Sequence, residues 1–101
     1  MTKKHILVVD DEKEITDLIE IYLTTENYQV TKRYDASTIE QDIEGVDLVI
    51  LDIMMPNING LAACQMIREK ANIPIIMLSA KSSDADKIIG LNLGADDYMT
   101  K

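Results

Sequence analysis

Cysteine occurs once, at Cys64, so no internal disulfide can form. No run is long or apolar enough for a signal peptide or a membrane span, and a cytoplasmic protein is expected. Positive charge is also scarce. Ten Lys and Arg stand against eighteen Asp and Glu, a net charge of -8. A nucleic-acid backbone or an anionic lipid surface would repel such a domain. The basic residues are scattered, with pairs at Lys3-Lys4 and Lys32-Arg33, and form no stripe that could follow a groove. Direct nucleic-acid contact and membrane association are therefore not expected.

What remains is an ordinary globular balance, 47% hydrophobic and 28% charged over 101 residues, enough for one domain over 1–101 and no second one. Three apolar runs stand out: Ile6-Leu7-Val8-Val9, Val46 to Leu51, and Ile73 to Leu78. Nearly continuous β-branched runs of this length predict strands covered on both faces, as in a parallel sheet. Tyr28 to Thr31 alternates as a weaker strand, and Asp97 to Thr100 is a plausible last one. Between them the period becomes helical. Ile15, Leu18, Ile19, Tyr22 and Leu23 build one apolar stripe; Ile39 and Ile43, then Leu61, Cys64 and Ile67, then Ile88, Leu91 and Leu93 mark three further helices. Asp11 and Glu14 have the spacing of a capping box, while Asn27, Gly45, Asn72 and Gly94 sit where helices should stop. The result is a βαβαβαβαβ unit with right-handed crossovers.

Open parallel sheets bind ligands outside the carboxyl ends of their strands. Along that edge the first strand ends in Asp10-Asp11, the third in Asp52, the fourth in Ser79, and the fifth runs into Lys101. Taken singly, each has a plain structural reading: caps for the acids, a turn hydroxyl, a surface cation. Their agreement along one edge favours a shared pocket. Three carboxylates in one site repel one another unless a cation is present. Oxygen donors with no His or Cys nearby select Mg²⁺, with Mn²⁺ a substitute. A carboxylate can attack phosphorus to give an acyl phosphate, a transfer that needs mainly positioning and charge neutralisation. Asp52, alone on a central strand, is the natural nucleophile, and Ser79 and Lys101 would hold phosphoryl oxygens.

The motifs Val8-Val9-Asp10-Asp11-Glu12, Leu51 to Pro56, Asn59-Gly60, Leu78-Ser79-Ala80 and Gly94 to Lys101 resemble the receiver domains of bacterial response regulators. The resemblance runs over essentially the whole chain. It implies a flavodoxin-like, doubly wound five-stranded parallel sheet of order 2-1-3-4-5. It also implies that Asp10 and Asp11 position Mg²⁺, that Asp52 is both phosphorylated and a metal ligand, and that the Met54 backbone carbonyl completes the protein ligands. Ser79 and Tyr98 match the family's switch pair, Lys101 its lysine, and Pro56 and Gly60 shape the loop after the acceptor.

The implied mechanism is a biased two-state switch. A histidine kinase donates the phosphoryl group, Ser79 moves toward it, Tyr98 turns inward, and the face of the fourth helix and fifth strand is remodelled. The domain would be a signalling module rather than an enzyme. Gly-Ala-Asp-Asp-Tyr before the last strand resembles the subfamily that carries a winged-helix DNA-binding output domain and dimerises through this face, where Lys87 and Asp97 would lie. Family receivers continue past the lysine into a fifth helix, so a piece of a longer protein is expected. Its end should leave an apolar strip beside the fourth and fifth strands, with Lys101 frayed beside a terminal carboxylate.

Two rivals are weaker. A phosphohydrolase that turns over the acyl phosphate commonly carries a second Asp two residues after the nucleophile, where this chain has Met54. A phosphate-independent interaction module usually lacks one of the acidic pair, the lone Asp or the Lys, and all are present. His5 begins the first strand, roughly 17 Å from the acidic end at about 3.3 Å per residue, and is unsuited to relay phosphoryl groups. Cys64 should be core. An apolar Met54 cannot orient an attacking water, so a long-lived phosphoryl state is expected.

Overall fold

The computed structural model describes residues 3–53, 55, 58, 60–79 and 97–100, with Ser79 and 97–100 described through their backbone. The elements are β1 (His5–Val9), α1 (Lys13–Thr25), β2 (Gln29–Arg33), α2 (Ile39–Asp42), β3 (Leu48–Asp52), α3 (Gly60–Lys70), β4 (Ile75–Ser79) and β5 (Asp97–Thr100). All strand pairs are parallel, in the order β2-β1-β3-β4-β5. The expected fourth helix, at Ile88, Leu91 and Leu93, lies outside the described residues, as do Met54, Lys87 and Lys101.

Strand alternation divides the apolar residues between two layers. Leu7 and Val9 of β1, Val49 and Leu51 of β3, and Ile75 and Met77 of β4 enter one continuous core with Ile39 of α2 and Ala63, Cys64 and Ile67 of α3. Leu48, Ile50, Ile76 and Leu78 instead face α1. The two layers are not equally closed. On the α1 side, Leu18 and Tyr22 are 65% and 68% exposed and border an apolar groove of about 440 Å³. Among the described residues this groove lies over β3 and β4; the β5 side chains, beside which an apolar strip was expected, lie outside them.

Polar contacts tie the helices to the sheet. Lys32 Nζ lies 2.8 Å from Asp17 and 3.0 Å from Glu20, joining β2 to α1, and hydrogen bonds to the two carboxylates hold the ammonium pKa above the usual lysine range. Arg33 Nε lies 3.2 Å from Asp42, and so holds the short α2 to β2. Asn27 after α1 and Gly45 after α2 adopt φ of 71° and 74°, the left-handed stops expected at those positions. The start of α1 differs from expectation. Its N-cap is Glu12, with no side-chain cap hydrogen bond, and the Glu12 amide donates to Asp10 Oδ1 at 2.9 Å. Asp10 rather than Asp11 therefore supports the turn. Among the described residues no helix is long and apolar enough to cross a membrane.

Candidate phosphoryl-accepting site

Register brings the candidate residues to one edge. Val9 of β1 pairs with Leu51 of β3, so Asp10 and Asp52 follow as neighbours at the ends of adjacent central strands. Asp52 in turn pairs with Leu78, which puts Ser79 one step further along β4, and Ser79 pairs with Thr100, the residue before Lys101. Tyr98 and Asp97 pair with Met77 and Ile76. The sheet thus carries Asp10, Asp52, Ser79 and the end of β5 on one rim.

Burial separates these groups. Asp10 is fully buried and Asp52 is 1% exposed, with Oδ2 of each enclosed by protein. Asp11 and Glu12 are exposed. The carboxylate oxygens of Asp10, Asp11 and Glu12 lie within 4.8 Å of one another. Buried carboxylates are costly unless charge and hydrogen bonds compensate them, and a hard divalent cation supplies the charge. The donor set fits Mg²⁺, which Asp10 and Asp11 would hold. Glu12 was not singled out from sequence. Its signal there was only that it is the third acid in a row.

Backbone hydrogen bonds tie Ile53, the residue after Asp52, to β4 and to the start of α3. Ile53 N donates to Leu78 O at 3.0 Å, anchoring the strand end, and Ile53 O accepts from Met55 N at 3.2 Å and Gly60 N at 2.9 Å. Met55 is buried in the core. Gly60 opens α3 directly against the Asp52 peptide: a Cβ there would stand 2.1 Å from the Asp52 carbonyl oxygen. The sequence marks this glycine, but not the atom it must avoid.

Residues 6–101 match the family model described as response regulator receiver domain. Among curated proteins, the regulatory protein VanR of Enterococcus faecium is 55% identical over 98 residues, covering 95% of this chain and 42% of VanR. The chain therefore spans about two fifths of that relative. Among solved structures, the BeF3-activated N-terminal receiver domain of Klebsiella pneumoniae RstA superposes with a TM-score of 0.92 at 35% identity, over 97% of this chain and 86% of that one. DrrB of Thermotoga maritima, described as an OmpR/PhoB homolog, gives 0.90 at 33% identity, over 99% and 46%.

Proposed function

The chain belongs to the response regulator receiver domain family, and from that premise we propose that Asp52 is its phosphoryl acceptor, with Asp10 and Asp11 as the side chains that hold Mg²⁺. The domain accepts a phosphoryl group as part of a two-component system and acts as a self-phosphorylating signalling module rather than a turnover enzyme. The observation that carries the assignment is the pairing of two buried carboxylates, Asp10 and Asp52, at the ends of adjacent central strands.

In the proposed step an Asp52 carboxylate oxygen attacks phosphorus, the bond from phosphorus to the donor's imidazole nitrogen breaks, and the imidazole leaves with the electron pair. Mg²⁺, when bound, would supply neutralisation of the phosphoryl group's negative charge. Asp10, Asp11 and Asp52 would hold the cation, with the Met54 carbonyl completing the protein ligands. Ser79 donates its hydroxyl to one phosphoryl oxygen and Lys101 its ammonium to another. Ser79 and Tyr98 then act as the switch pair. A bias of a few kcal/mol suffices, since about 5.5 kcal/mol carries a population from 1:99 to 99:1.

The donor is a cognate histidine kinase, and the domain works in the cytoplasm. The output is a winged-helix DNA-binding domain beyond the 101 residues, and the phosphorylated form pairs through the fourth helix and β5, using Lys87 and Asp97. The similarity to VanR, of which this chain covers 42%, and to an OmpR/PhoB homolog supports this part. Incubation with acetyl phosphate and Mg²⁺, followed by intact mass, tests the acceptor. A single-phosphate adduct is expected. Its absence, or its survival in Asp52→Asn, contradicts the proposal.

A further inference from the structure

We propose that Lys13, held over the Tyr34 ring, sets the charge balance at the rim of the site: its ammonium favours the approach of dianionic phosphodonors to Asp52, at a small cost in Mg²⁺ affinity. The inference rests on the reading of Asp52 as acceptor.

The charge around the acceptor opposes its reaction. The chain carries a net charge of -8, and Asp10, Asp11, Glu12 and Glu14 follow one another almost without interruption beside the site. A donor that brings two negative charges is repelled there. Lys13 is the one cation within that run. It opens α1 shortly after Asp10, and its Nζ stands 5.5 Å from the centre of the Tyr34 ring. Tyr34 follows Arg33, whose carbonyl accepts the Asp10 amide at 3.0 Å. The contact therefore spans the loops that leave the carboxyl ends of β1 and β2, on the rim that carries Asp10 and Asp52.

The neighbouring cations are differently employed. Lys32 Nζ lies between Asp17 and Glu20, and Arg33 Nε lies 3.2 Å from Asp42. A carboxylate cancels the charge it holds, whereas an aromatic face orients a cation and leaves its charge in place. Lys13 is exposed and Tyr34 is 38% exposed, so the ammonium is open to an approaching donor. The chain from Asp10 to Lys13 spans at most about 11 Å, close to the Debye length of ~10 Å at 0.1 M salt. Over that range the field of Lys13 reaches the site and is weakened by salt. It also acts with opposite signs on the two reactants: an anionic donor is attracted and Mg²⁺ is repelled.

The step tested is attack of an Asp52 carboxylate oxygen on the phosphorus of acetyl phosphate, in which the bond from phosphorus to the acetate oxygen breaks and acetate leaves with the electron pair. Labelling rates by intact mass at saturating Mg²⁺ are compared for wild type, Lys13→Gln, Lys13→Glu, Lys13→Arg and Tyr34→Leu. Lys70→Gln serves as control, since it removes an equal charge at the other end of α3 from Asp52, where Lys70 pairs with Glu40. Mg²⁺ affinity is read by calorimetry and folding by thermal melting. At low salt Lys13→Gln is expected to slow labelling by roughly two- to fivefold, Lys13→Glu by more, and Tyr34→Leu by roughly twofold. Lys13→Arg and Lys70→Gln should stay near wild type. The loss should fade at about 1 M salt, where the Debye length is ~3 Å, and be smaller with phosphoramidate, which carries less negative charge. Lys13→Gln should bind Mg²⁺ more tightly, by up to about twofold, whereas a merely structural role would weaken both binding and labelling. Unchanged labelling in Lys13→Gln or Tyr34→Leu, an equal loss in Lys70→Gln, a loss that persists at high salt, or weaker Mg²⁺ binding by Lys13→Gln would each overturn the inference. Failure of the wild-type chain to be labelled at Asp52 would instead sink the acceptor assignment.

Discussion

At the amino-terminal end of the sheet, Asp47 accepts a hydrogen bond from the His5 amide at 2.8 Å and returns one from its own amide to the His5 carbonyl at 2.8 Å, while His5 Nε2 lies 2.6 Å from Thr31 Oγ1. At the carboxyl end, Asp10 and Asp52 stand side by side with almost no exposure. The same residue type does different work in the two places. Asp47 is exposed and spends its hydrogen-bonding capacity on the backbone of a neighbouring strand, which water and geometry make inexpensive. Asp10 and Asp52 are held out of water in a strand-end arrangement that calls for a counter-charge. Acidic residues at a strand end become a candidate site through burial and convergence. Sequence identity alone does not make them one.

The comparison can be broken most sharply at Asp52. Replacement by Asn keeps shape and removes the nucleophile, and is expected to abolish the single-phosphate adduct while the thermal transition persists; an adduct of undiminished yield would erase the distinction between the ends. Asp10→Asn should lower Mg²⁺ affinity by about tenfold or more in calorimetry, whereas Asp47→Asn should leave it unchanged. Equal effects would show that general acidity, not the buried pair, governs binding. In stability the order reverses. Asp47→Ala breaks a side-chain bond to the His5 amide and should cost about 1 kcal/mol in denaturant unfolding, with the phosphorylation rate preserved.

The smallest effect concerns a carboxylate two residues past the end of β2. Asp35 accepts hydrogen bonds from the Ser37 hydroxyl at 2.6 Å and amide at 2.9 Å, and these hold its pKa below the ordinary value. A lowered folded pKa contributes stability above the unfolded pKa, and the contribution is lost as pH falls through the folded value. Ser37→Ala should therefore lower the melting temperature slightly at neutral pH, with the difference shrinking in acid. A difference that grows in acid would reverse the sign of this linkage.

Much of this arrangement was legible in the residues. Ile6 to Val9 is a continuous apolar run because both faces of β1 are covered, and period alone identified it. Strand boundaries were less legible, for local reasons. Val46 was expected in β3, but its amide bonds to Ile43 O and closes the turn after α2. Ile73 was expected in β4, but its carbonyl accepts from Arg68 of α3. The cap of α1 was misread because two adjacent aspartates offered the same side chain, and only the folded turn selects Asp10 for the Glu12 amide. Asp10 and Asp52 could be named from their strand-end positions, yet their burial depends on the register between β1 and β3, which no local pattern encodes. The close approach at Gly60 was hidden for a similar reason: a Cβ there would meet a peptide eight positions earlier, brought close by tertiary packing.

The central claim is that one carboxylate, Asp52, carries the phosphoryl group. It is tested most directly by phosphorylating the chain with acetyl phosphate and Mg²⁺, reducing the acyl phosphate with borohydride, and mapping the product by peptide mass spectrometry. Reduction of an aspartyl phosphate leaves homoserine at the labelled position. The account predicts homoserine at position 52 alone; homoserine at Asp10, Asp11 or Asp47, or no homoserine in a chain that has demonstrably taken up phosphate, would contradict it.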